Sequence, residues 1–99
     1  MTTHSELLAT LENVGDEPSF VAFVNALGRD RLDEAQKERN NPSAAWGAGA
    51  NGWEHSSIDS YLFASVAWAE VSLRLPDYTV PENPWRRCAD ILYFGKLYQ

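Results

Sequence analysis

The sequence predicts an all-α fold, a single domain over residues 1–99 with about four helices around one core. Apolar residues recur at helical spacing in four segments. Residues that favour helix starts precede these segments, and glycine or proline follows most of them. A chain of 99 residues with 44% hydrophobic residues and four tryptophans can bury one core without a disulfide or a metal.

The first helix is predicted from Glu6 to Val14, after a frayed start over residues 1–5. Its leucines and Val14 fall on one helical face, which indicates a short amphipathic helix. Gly15 follows directly and is expected to end it.

The second helix is predicted to begin near Pro18, because proline is well tolerated in the first turn of a helix. Past Gly28 the chain becomes polar but stays rich in helix formers, so the helix is expected to continue to about Arg39. Only Leu32 and Ala35 offer apolar contacts in that part. The charged run is therefore expected to form a solvated helix face.

Residues 40–52 collect Asn, Pro, Ser and Gly, which predicts one long glycine-rich loop. Trp46 within it is expected either to pin the loop to the core or to contact a partner. Gly47, Gly49 and Gly52 fit the GxGxxG pattern of dinucleotide sites. That pattern must follow a strand inside a parallel sheet, and no strand is predicted, so a phosphate site is not expected.

Residues 53–75 are predicted to contain the central helix, around which the others pack. Ser56 or Ser57 can cap its start, and Asp59 would complete a capping arrangement with Ser56. The segment that follows is apolar around most of its circumference, which is typical of a helix buried on several sides. Pro76 is expected to stop it.

The last helix is predicted from Trp85 to about Tyr98, opened by Asn83 and Pro84. Cys88 falls at an apolar position of this helix, where a free cysteine commonly acts as a small hydrophobe.

Two arginines stand in the first turn of the last helix, where positive charge opposes the helix macrodipole. Arg86 and Arg87 could hold an anion or the carboxylate of a partner. The alternative is that Glu82 and Asp90, each four residues from Arg86, neutralise it.

No cofactor or metal is predicted, because His4, His55 and Cys88 lack ligand spacing and no second thiol completes a site. The single cysteine and the lack of a membrane or signal segment predict a cytoplasmic location. The formal net charge of -6 argues against nucleic acid and favours a basic partner.

From Trp53 the sequence reads W-E-H-x-S-I-x-x-Y-L-x-A-x-x-A-W, and from Trp85 to Tyr98 it reads W-x-x-x-A-x-I-L-x-x-x-x-x-Y. These strings resemble a bacterial family of small acidic domains of unknown function, with a Trp-x-Asn, Thr-Leu, aromatic-Leu, Trp pattern. His55 departs from the pattern by replacing its asparagine. The resemblance implies a shared helical fold and no catalytic residues. The positions that match the pattern are Trp53, Ser57, Ile58, Tyr61, Leu62, Ala64 and Trp68.

The sequence predicts a non-catalytic protein that binds another protein, since aromatic residues and acidic charge are typical of interfaces. A sharper version is an immunity-type inhibitor that covers a basic toxin such as a nuclease. The alternatives are a small-ligand-binding protein with a Trp-lined pocket and a homodimer that buries surplus apolar surface. The candidate interaction residues are Trp46, Trp53, His55, Arg86, Arg87, Asp30, Asp33, Glu34 and Glu38.

Overall fold

The computed structural model describes residues 4–44 and 47–98. Within these ranges the secondary structure is helical, with no strand. The predicted all-α class is therefore confirmed. The helices are α1 (His4–Glu12), α2 (Glu17–Asn40), α3 (Ile58–Ser72) and α4 (Pro84–Leu97).

The start of α1 differs from the sequence prediction. The helix begins at His4, inside the segment that was expected to be frayed, and ends at Glu12. Its inward face buries Leu7 and Leu11 completely or nearly so. This burial against α2 and α4 supplies the tertiary packing that a helix this short needs.

The start of α2 is fixed by a reciprocal cap between two side chains. Asp16 accepts a hydrogen bond from the backbone N–H of Ser19 at 3.0 Å, and the Ser19 hydroxyl accepts one from the Asp16 backbone N–H at 3.1 Å. The helix then passes through Gly28 without a break and ends at Asn40. The predicted extension to about Arg39 is confirmed.

The cap of α3 is Ser57, whose hydroxyl accepts from the Ser60 backbone N–H. The predicted pairing of Ser56 with Asp59 is not the cap that forms. The helix also ends at Ser72, ahead of Pro76.

The α4 boundaries agree with the prediction, because Asn83 caps the helix and Pro84 occupies its first turn. Cys88 is exposed, so its predicted role as a buried hydrophobe is wrong.

The central helix is α4. It packs against α1, α2 and α3, whereas α3 contacts no other helix than α4. The prediction that α3 is central and buried on several sides is therefore wrong. The reason is that the inward face of α3 consists mostly of small residues, which let the helices approach closely and leave the large apolar side chains outside. The buried residues of α3 are Ala64, Ser65, Trp68 and Ser72.

The main core lies between α1, α2 and α4 and includes the indole of Trp53 from the loop. Its largest fully buried apolar side chains are Phe23 and Leu7. The remaining buried members are Leu11, Val14, Ala26, Leu27, Ala89 and Tyr93.

The α3–α4 contact combines polar bonds with a very close approach. The Tyr61 hydroxyl donates to the Leu92 carbonyl at 2.7 Å, and burial raises the pKa of Tyr61 to about 12. The two helices approach each other closely at Gly95, where an added Cβ would lie 2.9 Å from the Ser65 Cβ and closer still to its hydroxyl. Only glycine fits this position without displacing Ser65.

The substitution Gly95→Ala is therefore expected to lower the free energy of unfolding by about 1–3 kcal/mol, because the extra methyl group overpacks the α3–α4 contact. Gly28→Ala is the matched control, since an added Cβ there meets nothing within 4 Å. It is expected to raise the free energy of unfolding by about 0.5–1 kcal/mol through helix propensity. Urea denaturation measures both changes, and equal effects of the two substitutions would contradict the close contact.

Candidate functional site

The acidic residues in the second half of α2 face inward. Asp30, Asp33 and Glu34 are 1%, 7% and 4% exposed, so the expected solvated face is wrong for all three. Leu32, which was expected to anchor the helix, is 61% exposed. The inward side of α2 continues at helical spacing from apolar to acidic residues, and the carboxylates therefore occupy core positions.

Asp30 is at the centre of this buried polar cluster. Its Oδ2 accepts hydrogen bonds from the Lys96 ammonium at 2.6 Å and from the Trp53 indole N–H at 2.8 Å. Lys96 is fully buried, and its Nζ lies 5.6 Å from the centroid of the Trp53 ring. A buried charge pair of this kind is stable only because each charge has a close partner.

The other carboxylates of α2 hold the glycine-rich loop. Glu34 accepts from the backbone N–H groups of Asn51 and Trp53, at 3.0 and 3.2 Å. The Asn51 amide donates in turn to Asp33 at 3.0 Å, and this hydrogen bond, together with Lys37, lowers the pKa of Asp33. Gly49 is necessary here because an added Cβ would collide with the Glu34 carboxylate.

Glu38 fastens the outer part of the same loop. Its carboxylate accepts from the Ser43 hydroxyl at 2.6 Å, the Ser43 backbone N–H at 2.7 Å and the Ala50 backbone N–H at 2.8 Å. The Ser43 bonds, led by that of its hydroxyl, lower the pKa of Glu38. The four acids that were candidate interaction residues thus bind this protein's own loop and helices.

Two further candidate residues, Trp53 and His55, also contact other parts of this protein. Trp53 is 8% exposed and belongs to the core. The Nε2 atom of His55, which is half-buried, lies 2.6 Å from the Tyr98 carbonyl oxygen, a contact that ties the start of α3 to the end of α4. Trp46 lies outside the described residues.

The two arginines have separate internal contacts. Arg86 pairs with the buried carboxylate of Asp90 at 2.9 Å. The interpretation that Glu82 and Asp90 neutralise Arg86 is therefore confirmed for Asp90. Arg87 donates to the Ser72 hydroxyl at 2.9 Å and to the Ala69 carbonyl at 3.1 Å, and its guanidinium lies 5.5 Å from the Trp68 ring centroid. It therefore satisfies a carbonyl in the last turn of α3.

Two aromatic rings, those of Trp68 and Tyr78, lie within about 6 Å of the Arg87 guanidinium, but they do not form the expected Trp-lined pocket. Trp68 stacks on Phe94 with ring centroids 4.5 Å apart, while Trp53 lies in the main core and Trp85 packs on Phe20. The three described tryptophans occupy three different places. A small apolar cavity of about 270 Å³ lies beside Trp68 and Tyr78.

A cavity of about 530 Å³ lies between α2 and the glycine-rich loop. Glu34 and Glu38 border it, but both carboxylates are hydrogen-bonded to the loop. Across residues 4–44 and 47–98 there is no group of three or more His, Cys, Asp or Glu side chains placed to hold a metal ion.

The outer side of α3 carries surplus apolar surface, as the homodimer alternative expected, but none of the candidate interaction residues lies there. Its five large apolar side chains, the α3 apolar face, each expose half or more of their surface. The inward side of the same helix is already occupied by α4. Ser65 and Ser72 on the inward side are the sequence signal that could have oriented the helix, since a centrally buried helix would place large apolar residues there. The α3 apolar face consists of Ile58 (78% exposed), Leu62 (50%), Phe63 (72%), Val66 (55%) and Leu73 (69%).

No protein-family model, curated protein or solved structure matches this chain. The resemblance to small acidic bacterial domains therefore stays a prediction. Of the helices that the structure describes, none combines the length and the hydropathy needed to cross a bilayer.

The Asp30–Lys96 pair gives a direct test of the buried cluster. Lys96→Met is expected to lower the free energy of unfolding by about 3–5 kcal/mol, because the Asp30 carboxylate would lose its buried counter-charge. Lys37→Met is the control: Lys37 also pairs with an aspartate, Asp33, but its side chain is 46% exposed. Its loss is expected to cost at most about 1 kcal/mol. Chemical denaturation compares the two, and similar costs would contradict the assigned role of Lys96.

The Glu38 contacts predict a specific pH dependence. Because the folded-state pKa of Glu38 lies below its ordinary value of 4.5, the carboxylate stabilises the fold above that pH and less as the pH falls below it. Glu38→Gln is therefore expected to be less stable than the natural chain at pH 7, and the difference should shrink in acid. Ser43→Ala, which removes the hydroxyl donor, should reduce the same dependence. Parallel stability curves for Glu38→Gln and the natural chain would contradict this assignment.

Proposed function

We propose that this protein acts by binding another protein through the α3 apolar face. The observation that carries the proposal is the exposure of five large apolar side chains, four on α3 and one at its C-cap, on a helix whose opposite side is already packed. With about 200 Å² for a fully exposed large side chain, they present roughly 600 Å², which is the upper end for a patch on a monomer.

The size of this face sets an upper limit on what its burial can contribute to binding. At about 25 cal/mol per Å², covering roughly 600 Å² of apolar surface contributes about 15 kcal/mol before the costs of association. Those costs are about 4–15 kcal/mol and can offset the whole of this contribution, so the fit of the partner decides the affinity and the area alone does not.

The immunity-type inhibitor is less well supported by this geometry than a general protein-binding role. Its acidic surface was to be formed by Asp30, Asp33, Glu34 and Glu38, and three of these are buried. A basic toxin would have to bind other acids of the chain. The α3 apolar face is instead complementary to a partner that has an apolar surface of similar size. Groups around that surface would pair with Asp59, Glu70 and Arg74.

Site-specific photocrosslinking tests the proposal. A benzophenone amino acid at position 63, in place of Phe63, is expected to form a covalent adduct with a protein partner in living host cells. The same amino acid in place of Gln36, an exposed residue of α2, is the matched control and should form none. The mass of the adduct identifies what lies on the face.

Absence of an adduct at position 63, in a chain that circular dichroism shows to be folded, would overturn the protein-binding proposal. Adducts of equal yield from positions 63 and 36 would also overturn it, because they would indicate random collisions. Since Phe63 is 72% exposed, its replacement is expected to change the free energy of unfolding by no more than about 0.5 kcal/mol.

A further inference from the structure

We infer that the partner on the α3 apolar face is a second copy of this chain, with the two α3 helices antiparallel across a two-fold axis. This inference rests on the proposed function and specifies its partner. Three observations support it: the spacing of the apolar residues, the position of the charges at the two ends of the face, and the area available.

The spacing fits a helix–helix seam. Leu62, Val66, Ala69 and Leu73 follow one another at intervals of four, three and four residues. This alternating spacing is typical of coiled coils, in which two helices pack their apolar side chains against each other along a common seam. Leu62, Val66 and Leu73 are exposed and Ala69 is half-buried, so this seam is accessible to a second helix along most of α3.

The charges favour the antiparallel orientation. Asp59 lies in the first turn of α3, and Arg74 lies just beyond its last residue. A two-fold axis passing between residues 67 and 68 pairs Leu62 with Leu73 and Val66 with Ala69 of the other copy. It places Asp59 of each copy about 3 Å along the helix axis from Arg74 of the other copy, at 1.5 Å per residue, an offset that the long arginine side chain spans. A parallel pair would instead set Asp59 against itself. Antiparallel helix dipoles add a smaller contribution in the same direction.

The area available matches what a dimer needs. Roughly 600 Å² of exposed apolar side chain, with the charged flanks around it, approaches the roughly 800 Å² that each partner of a stable complex buries. Such a contact would extend the α3–α4 pair of each copy into one layer of four helices.

The net charge of -6 does not prevent this contact, because the acidic groups are concentrated elsewhere. The α1–α2 corner carries Glu12, Asp16 and Glu17, and α1 makes no contact with α3. Beside the face itself stand two acids and one base: Asp59, Glu70 and Arg74. Repulsion between the more distant acids is screened beyond about 8 Å at physiological ionic strength.

Sedimentation equilibrium on the purified full chain tests the inference. Between low micromolar and submillimolar concentrations the mass is expected to rise from 11.1 kDa toward twice that value. Val66→Arg should weaken dimerisation by about tenfold or more, since it places a charge on the seam. Leu32→Arg is the matched control, because Leu32 is equally exposed but lies on α2, and it should leave dimerisation unchanged.

A charge exchange tests the orientation. Asp59→Arg and Arg74→Asp should each weaken the dimer, and the double variant should restore it, because the opposite charges then meet again with their places exchanged. Circular dichroism confirms that each variant keeps its helices. A double variant weaker than both single variants would overturn the antiparallel register.

The two proposals fail in different ways. A mass of 11.1 kDa at every concentration overturns the second-copy inference. If a photocrosslink from position 63 then has the mass of a different protein, the protein-binding proposal stands without it. A monomer that also gives no adduct overturns both.

Discussion

The rest of this structure depends on one buried charge pair, the salt bridge between Asp30 on α2 and Lys96 on α4. Removing two charges from water is costly, and here the cost is offset by a 2.6 Å contact and by the Trp53 indole N–H on the same carboxylate oxygen. One oxygen atom therefore joins α2, α4 and the loop that leads into α3. No buried side-chain nitrogen or oxygen lacks a hydrogen-bond partner anywhere in residues 4–44 and 47–98.

Short-range chemistry explains why the starts of α2, α3 and α4 could be predicted. Asp16, Ser57 and Asn83 each cap a helix by bonding to a backbone N–H within three residues. Such bonds depend on the local sequence alone. The end of α3 could not be predicted in the same way, because Arg87, which lies on a different helix, donates a hydrogen bond to the Ala69 carbonyl.

Long-range pairing explains what the sequence analysis got wrong. An aspartate at a core position of α2 looks solvated until Lys96, far along the chain, is found beside it. The candidate site was misplaced for the same reason, since residues taken for a binding surface turned out to hold the protein's own loop. The outer side of α3 was misread because an apolar helix is usually a buried one. Its inward positions, Ser65 and Ser72, face Gly95 and Arg87 instead of large hydrophobes.

Among the helices, α3 packs only against α4, and this has a consequence for the dynamics of the fold. The buried residues of the main core lie on α1, α2, α4 and the loops beside them, and Tyr61 of α3 packs against this core from outside. A local opening that releases α3 would break the Trp68–Phe94 stack, the close contact at Gly95 and the contacts of Tyr61 with Trp53 and Leu92. Amide hydrogens of α3 should therefore exchange with solvent through this partial opening, while those at the centre of α2 exchange only when the whole domain unfolds. A partner bound to the outer side of α3 would therefore slow the exchange of the α3 amide hydrogens and leave the exchange of the α2 amide hydrogens unchanged.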